Sequence, residues 1–127
     1  MYRNLLTTMV LLLVFSVIGS TCMADEAAIR IIAPASVKPG TVVTVRLEIR
    51  HDGNNFLHYV EEVTVKAGEE EIQRWEYSNF DKPESQEFTR EFDVTVDREI
   101  DLTARADCNL HGSAGPDSLS IKTSKGE

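Results

Sequence analysis

Between Thr41 and Arg50 the chain alternates without a break: Val43, Val45, Leu47 and Ile49 fall on one side, Thr44, Arg46, Glu48 and Arg50 on the other. Successive side chains of an extended strand point to opposite faces, so this run is a strand with one face in a core and one in water. The pattern recurs. Ala28 to Ala33 is short and β-branched, and Pro39-Gly40 closes a turn from Pro34 to Gly40. His58 to Lys66 is a strand whose phase slips at Glu61-Glu62, as at a bulge or an edge. Ala67-Gly68 turns the chain into a strand from Glu70 to Tyr77, and Ser78 to Ser85 is a loop. Phe88, Phe92, Val94 and Val96 share a face, as do Ile100, Leu102, Ala104 and Ala106. Gly112 to Pro116 turns into a last strand with Leu119 and Ile121, and fraying is expected after Thr123. No helical period follows residue 24. About seven short strands with turns between them predict an all-β, antiparallel immunoglobulin-like sandwich, with Trp75 in its core.

The first 24 residues read differently. Arg3 precedes an almost wholly apolar run from Leu5 to Ile18, and Gly19-Ser20-Thr21, Cys22, Met23 and Ala24 follow. A basic start, an apolar middle and a small-residue end form a secretory signal, and the run is shorter than the roughly 20 residues that cross a bilayer. The expected organisation is a signal peptide over 1–24 and one domain over 25–127, exported to the periplasm, with no membrane span in the mature chain. A lipid anchor through Cys22 is the alternative location. Cleavage after Ala24 removes one base and no acid, leaving 12 bases against 21 acids, a charge of −9 where the whole chain has −8. Such a surface disfavours nucleic acid and anionic membranes as partners.

Cleavage also leaves Cys108 as the sole cysteine. Alone in an oxidising compartment it forms no internal disulfide, so it is an intermolecular bridge, a buried thiol or a bound thiolate. Its setting is Cys108-Asn109-Leu110-His111-Gly112, a Cys-x-x-His step in a turn, which brings a thiolate and an imidazole near one ion. The other two histidines, His51 and His58, flank the polar loop Asp52-Gly53-Asn54-Asn55. Every histidine and the one remaining cysteine thus sit at strand ends beside glycine or asparagine turns. His51, His58, Cys108 and His111 are the candidate metal ligands. An exported free thiol would otherwise be prone to oxidation.

His51-Asp52-Gly53-Asn54, His58-Tyr59-Val60 and Cys108-Asn109-Leu110-His111-Gly112 resemble the superoxide reductase family, the neelaredoxins and the iron domain of desulfoferrodoxins. Ala33-Pro34, Val37-Lys38 and Gly40 resemble the family's run before its second strand. The resemblance implies an immunoglobulin-like sandwich and one mononuclear iron. It implies equatorial His51, His58 and His111, an axial Cys108 thiolate and an open position where superoxide is reduced to hydrogen peroxide by electrons from an unidentified donor. It also marks a departure. The family's earlier Glu-Lys-His stretch, a fourth histidine and an anion-attracting lysine, falls on Asp25, Glu26 and Ala27. No Cys-x-x-Cys pair precedes the domain, so the extra rubredoxin-like centre is not expected. The residues leave other readings open. One is a blue-copper-like electron carrier, disfavoured because Met1, Met9 and Met23 all lie in the signal. The others are a non-catalytic metal-binding module and structural zinc. The assembly state, including a homo-oligomer, is left open.

Overall fold

In the computed structural model the described residues are 26–125, and the expectations placed on 1–24 lie outside them. Eight strands follow one another: β1 (Ala28–Ile32), β2 (Ser36–Val37), β3 (Thr41–Arg50), β4 (Val60–Ala67), β5 (Glu70–Glu76), β6 (Glu87–Val96), β7 (Ile100–Cys108) and β8 (Asp117–Thr123). They build two sheets, β1-β3-β6 and β2-β8-β7-β4-β5. The all-β sandwich expected from the alternation is what forms. No helix among the described residues is long and apolar enough to cross a membrane.

The core lies between the sheets. Ile31, Val43, Val45, Leu47, Ile49, Phe88, Phe92 and Val96 come from the first; Val60, Val63, Val65, Leu102, Ala104, Ala106, Cys108 and Ile121 come from the second. Burying one such Val, Leu, Ile or Phe side chain stabilises by about 1.5–3 kcal/mol, so the alternating face decides which side of each strand turns inward. Trp75 packs against this core half-buried, 6.2 Å from Phe92 between ring centroids.

Four details depart from the sequence reading. The segment from Pro34 to Gly40 is not only a turn: Ser36 and Val37 pair in parallel with Lys122 and Thr123, which makes an eighth strand and a parallel ladder. The strand expected from His58 starts at Val60, because His58 and Tyr59 spend their backbone groups on loop partners. The slip at Glu61-Glu62 is there, between Val60 and Glu62 against β7, and a second one lies between Val65 and Lys66 against β5. Fraying does not begin at Ser124, whose N–H still donates to the Val37 carbonyl at 2.8 Å.

Sheet pairing sets where the loops meet. Arg50 pairs with Glu87, and the His51 N–H donates to the Gln86 carbonyl at 2.8 Å, so the end of β3 is tied to the start of β6. Val60 pairs with Cys108, which puts the start of β4 beside the end of β7. The His51–His58 loop and the Cys108–His111 turn therefore share one end of the sandwich.

Candidate metal centre

His51 continues the buried face of β3 and is 1% exposed, the one buried polar residue among those described. Its ring is held by Asn54, the single non-glycine residue with positive φ among those described, at 62°. Asparagine tolerates that left-handed region better than most residues. Asn54 Oδ1 accepts the Val60 N–H at 2.9 Å, and Asn54 Nδ2 donates to the Ser85 carbonyl at 2.8 Å. Those two backbone partners settle which end of the amide is oxygen. His51 Nδ1, 2.9 Å from the same Oδ1, must then carry the proton and donate it. The lone pair of His51 is consequently on Nε2, facing inward. A second group that fixes a ligand's tautomer in this way is the usual support of a metal-binding histidine.

His58 stands at the far end of the same loop. Asn55 Oδ1 accepts the N–H groups of Leu57 and His58 at 3.0 and 2.9 Å, an Asx-type turn that curls the chain back. The loop also passes close over the rings. A Cβ built on Gly53 would sit 2.9 Å from His58 Nδ1 and 3.1 Å from His51 Cε1, so no larger residue fits without moving an imidazole.

The downstream turn is closed by backbone. Cys108 and Gly112 exchange N–H···O bonds of 2.8 and 3.0 Å, and Gly112 takes φ 71°. Cys108 shares the parity of Leu102, Ala104 and Ala106, so its thiol points to the core side and is 3% exposed. The Leu110 N–H lies 3.4 Å from Cys108 Sγ, a donor aimed at the sulfur. Asn109 sews the two loops together: its Oδ1 accepts the Tyr59 N–H at 3.0 Å and its Nδ2 donates to the Leu57 carbonyl at 3.0 Å.

All four candidate residues meet. Donor atoms of His51, His58 and Cys108 lie within 4.8 Å of one another. His51 Nε2 is 3.1 Å from His58 Nε2, which is 3.0 Å from His111 Nδ1, and His111 Nδ1 is 3.9 Å from Cys108 Sγ. Hydrogen bonding alone serves this cluster poorly. His51 Nε2 is a forced acceptor, and one proton on His58 Nε2 cannot point squarely at both neighbours. A cation receives all the lone pairs at once. Nitrogens bound at about 2.1 Å and at right angles to each other stand about 3.0 Å apart, which is the observed spacing. Three imidazoles with one thiolate also suit a redox-active transition metal better than Mg²⁺ or Ca²⁺, which take oxygen ligands. The residues present fit an iron ion.

Burial is graded across the cluster. His51 and Cys108 are buried, His58 is half-buried and His111 is exposed, so access from solvent is on the His111 side. A cleft of about 420 Å³ lies elsewhere, along β1, β3 and β6. It is lined by Arg30, Arg46, Glu48, Arg50 and Glu87 among others, and holds none of the four ligand candidates. Ion pairs such as Arg30–Glu48 fill its walls, which makes it a solvated sheet face.

The supporting residues were only partly visible beforehand. Asn54, Asn109 and Gly53 stood inside the motifs, yet their work depends on the partners that the fold supplies. The departure at Glu26-Ala27 acquires a place. The Ala27 N–H faces the Gly112 carbonyl at 3.3 Å, the Ala114 N–H donates to the Ala27 carbonyl at 2.9 Å, and Ala27 is fully buried. The position without a histidine is thus next to the His111 turn.

Comparison with known proteins agrees with this fold. The family model described as Desulfoferrodoxin matches residues 23–113, well over half of the 127-residue chain. Superoxide reductase (neelaredoxin) from Ignicoccus hospitalis is 20% identical over 76% of this chain and 80% of that one, with a TM-score of 0.60. A point variant of it superposes with a TM-score of 0.65 at 21% identity, over 84% of this chain and 87% of that one. The CARDB domain of a Pyrococcus furiosus protein, solved in complex with two metal ions, shares the fold at a TM-score of 0.63 and 14% identity, over 82% and 97% of the chains. No curated protein matches the sequence. At these identities the structural likenesses speak for the fold, and the family match carries the assignment. The chain belongs to the desulfoferrodoxin family, whose members bind non-haem iron.

Proposed function

We propose that His51 Nε2, His58 Nε2, His111 Nδ1 and Cys108 Sγ hold one iron ion, and that the protein reduces superoxide to hydrogen peroxide in the periplasm after loss of residues 1–24. The observation that carries this reading is the convergence of three imidazole nitrogens, at 3.0 and 3.1 Å, beside a buried cysteine sulfur. Iron held there supplies the single electron that, with two protons from water, turns superoxide into hydrogen peroxide, and a donor returns that electron.

The chain's own residues do the rest. Asn54 keeps the His51 proton on Nδ1, away from the ion. The Leu110 N–H draws charge from the Cys108 sulfur and so tempers how strongly it donates. Asn109 holds the two ligand loops in one register. His111, at the surface, leaves an approach for a small anion. No lysine takes the place of the family's guiding cation: Glu26 stands there, and the nearby Arg50 lies 4.0 Å from Asp52 and 3.8 Å from Glu87. Capture of the anion is therefore the slow step in this reading.

Anaerobic loading with ferrous iron, followed by pulse-generated superoxide, tests it. The loaded protein should speed superoxide decay above free iron. Glu26→Lys should speed it further, and the gain should shrink as the Debye length falls from about 10 Å at 0.1 M salt to about 3 Å at 1 M. Ala27→His should show up in iron retention and in the visible spectrum, with little salt dependence. Decay no faster than with free iron, for the wild type and both variants, would leave a non-catalytic iron-binding module.

A further inference from the structure

Ala27 and Cys108 lie side by side. The Gly112 carbonyl accepts the Cys108 N–H at 2.8 Å and the Ala27 N–H at 3.3 Å, and the Ala114 N–H donates to the Ala27 carbonyl at 2.9 Å. Ala27 also bridges in parallel to Ser113, so the chain just before β1 runs along the turn that carries His111. The Ala27 methyl group is wholly buried, in the same core cluster as Cys108, and it offers no lone pair. The residue before it, Glu26, is half-buried.

The donor count follows from the residues present. His51, His58, His111 and Cys108 give one atom each, and an octahedral iron ion has six positions. No Asp or Glu oxygen joins the ligand group among the described residues. The nearby amides are engaged, Asn54 with His51, Val60 and Ser85, and Asn109 with Tyr59 and Leu57. The Ser113 hydroxyl accepts the Gly115 N–H at 3.0 Å. The protein thus leaves two positions on the ion to ligands from solution. The superoxide reading uses one of them. Beside the His111 turn, where Ala27 stands, the chain supplies a methyl group in place of a donor.

From these we infer that the second position, beside Ala27, takes a small neutral nitrogen base of the imidazole type from solution. The inference rests on the iron reading of the four ligands, and it adds a second exchangeable ligand to the one that the reaction needs. An imidazole nitrogen suits the same ion as the three nitrogens already gathered there. A neutral base is favoured over an anion, because the Cys108 thiolate already brings one negative charge to the ion and the Glu26 carboxylate adjoins Ala27 in the chain. The approach is from the side of the exposed His111 and the half-buried Ser113. Binding is the donation of a lone pair to the ion: no electron is transferred and no bond of the protein breaks.

The iron-loaded protein, oxidised to the ferric state, is titrated with imidazole and with azide, a small anion like superoxide, and the visible spectrum is followed. Imidazole should saturate with a Kd of about 1 mM, within reach of a ligand of about five non-hydrogen atoms. Isotope-labelled imidazole should add a nitrogen coupling in pulsed electron paramagnetic resonance. The related base 2-methylimidazole, crowded beside its donor atom, should bind about tenfold more weakly. The azide Kd should stay within about threefold at saturating imidazole, because the two probes occupy different positions. Ala27→His should lose imidazole binding and keep azide binding, and the wild-type measurements stand whether or not that variant folds. Competition between imidazole and azide would leave one exchangeable position and overturn the proposal. So would an imidazole-induced spectral change without the nitrogen coupling. Imidazole binding in Glu26→Gln but not in the wild type would give the position to the Glu26 carboxylate and overturn it as well. Simultaneous binding of both probes in a protein that leaves superoxide untouched keeps the second position and removes the enzymatic function. Fast superoxide decay with competing probes does the reverse.

Discussion

The two halves of the metal site are held by different means. The upstream half, His51 to His58, is a loop kept in shape by side chains: Asn54 fixes the His51 ring, Asn55 curls the chain, and Gly53 lets the backbone pass over both imidazoles. The downstream half, Cys108 to His111, is a turn kept in shape by its own backbone, through the paired bonds between Cys108 and Gly112. The difference teaches where each half is vulnerable. Ligand placement upstream depends on particular side-chain atoms, whereas ligand placement downstream depends on the course of the main chain, and Asn109 ties the two together.

The largest effect should come from the ligand that no neighbour can replace. Cys108→Ser should abolish iron binding at stoichiometric metal, since a serine hydroxyl stays protonated at neutral pH and is a poor donor, while each histidine variant should retain part of the iron. Metal analysis of the four single variants checks this, and equal iron in wild type and Cys108→Ser would remove the thiolate from the site.

Next come the two asparagines. Asn54→Leu leaves the His51 Nδ1 proton and the Val60 N–H without their acceptor, at a cost of about 1–3 kcal/mol per buried group, and frees the ring. Iron affinity should fall about 10–100-fold, as is usual when the group behind a metal-bound histidine is removed. Asn109→Leu should lower the midpoint of unfolding with much less loss of affinity, because it joins loops without touching a ligand ring and meets the Cys108 sulfur only at 3.8 Å. Competition with a chelator, read beside thermal unfolding, separates them. Similar affinity losses in both would mean that the downstream turn also relies on side chains.

A pair of glycines sharpens the contrast. Gly53→Ala puts a methyl group into the two imidazoles, so the iron spectrum should change even where the protein stays folded. Gly112 has positive φ and open space where a Cβ would sit, so Gly112→Ala should cost about 1 kcal/mol of stability through backbone strain and leave the spectrum alone. The opposite assignment, a spectral change in Gly112→Ala alone, would reverse the division between the halves.

The smallest effect belongs to the loop beside the upstream half. The Arg90 guanidinium, bonded to Glu84 at 2.9 Å, holds that carboxyl below its ordinary value. A lowered carboxylate pKa stabilises the fold above the unfolded value of about 4.5 and loses that contribution as the pH falls through the folded value. Glu84 is largely exposed while Arg90 is half-buried, so Glu84→Gln should cost on the order of 0.5 kcal/mol at pH 7 and nothing at pH 2–3. Denaturant midpoints at the two pH values measure it.

Much of this was legible in the sequence, and for a local reason. A strand's side chains alternate, so the strict run from Thr41 to Arg50 names its own buried face without knowledge of its neighbours, and the parity from Leu102 to Cys108 puts the thiol on the core side. The phase slip at Glu61-Glu62 shows the bulge by the same rule. The turn Cys108 to His111 is legible because glycine and a three-residue span leave little freedom. What stayed hidden is long-range. Ser36 and Val37 have no strand pattern of their own and become a strand only because the last strand passes beside them. Asn54 reads as an ordinary loop residue until Ser85 and Val60, contributed by other segments, occupy both ends of its amide. Ala27 reads as a missing ligand at the start of the domain until its backbone is found against Gly112. The sequence by itself determined the sandwich, the inward faces and the four candidate ligands, since periodicity and side-chain chemistry act over a few residues. Only the tertiary structure decided that the four share one end, which His51 nitrogen faces the others and which apolar side chains surround them, because those depend on strand pairings that bring residues fifty or more positions apart to within 3.0 Å of each other.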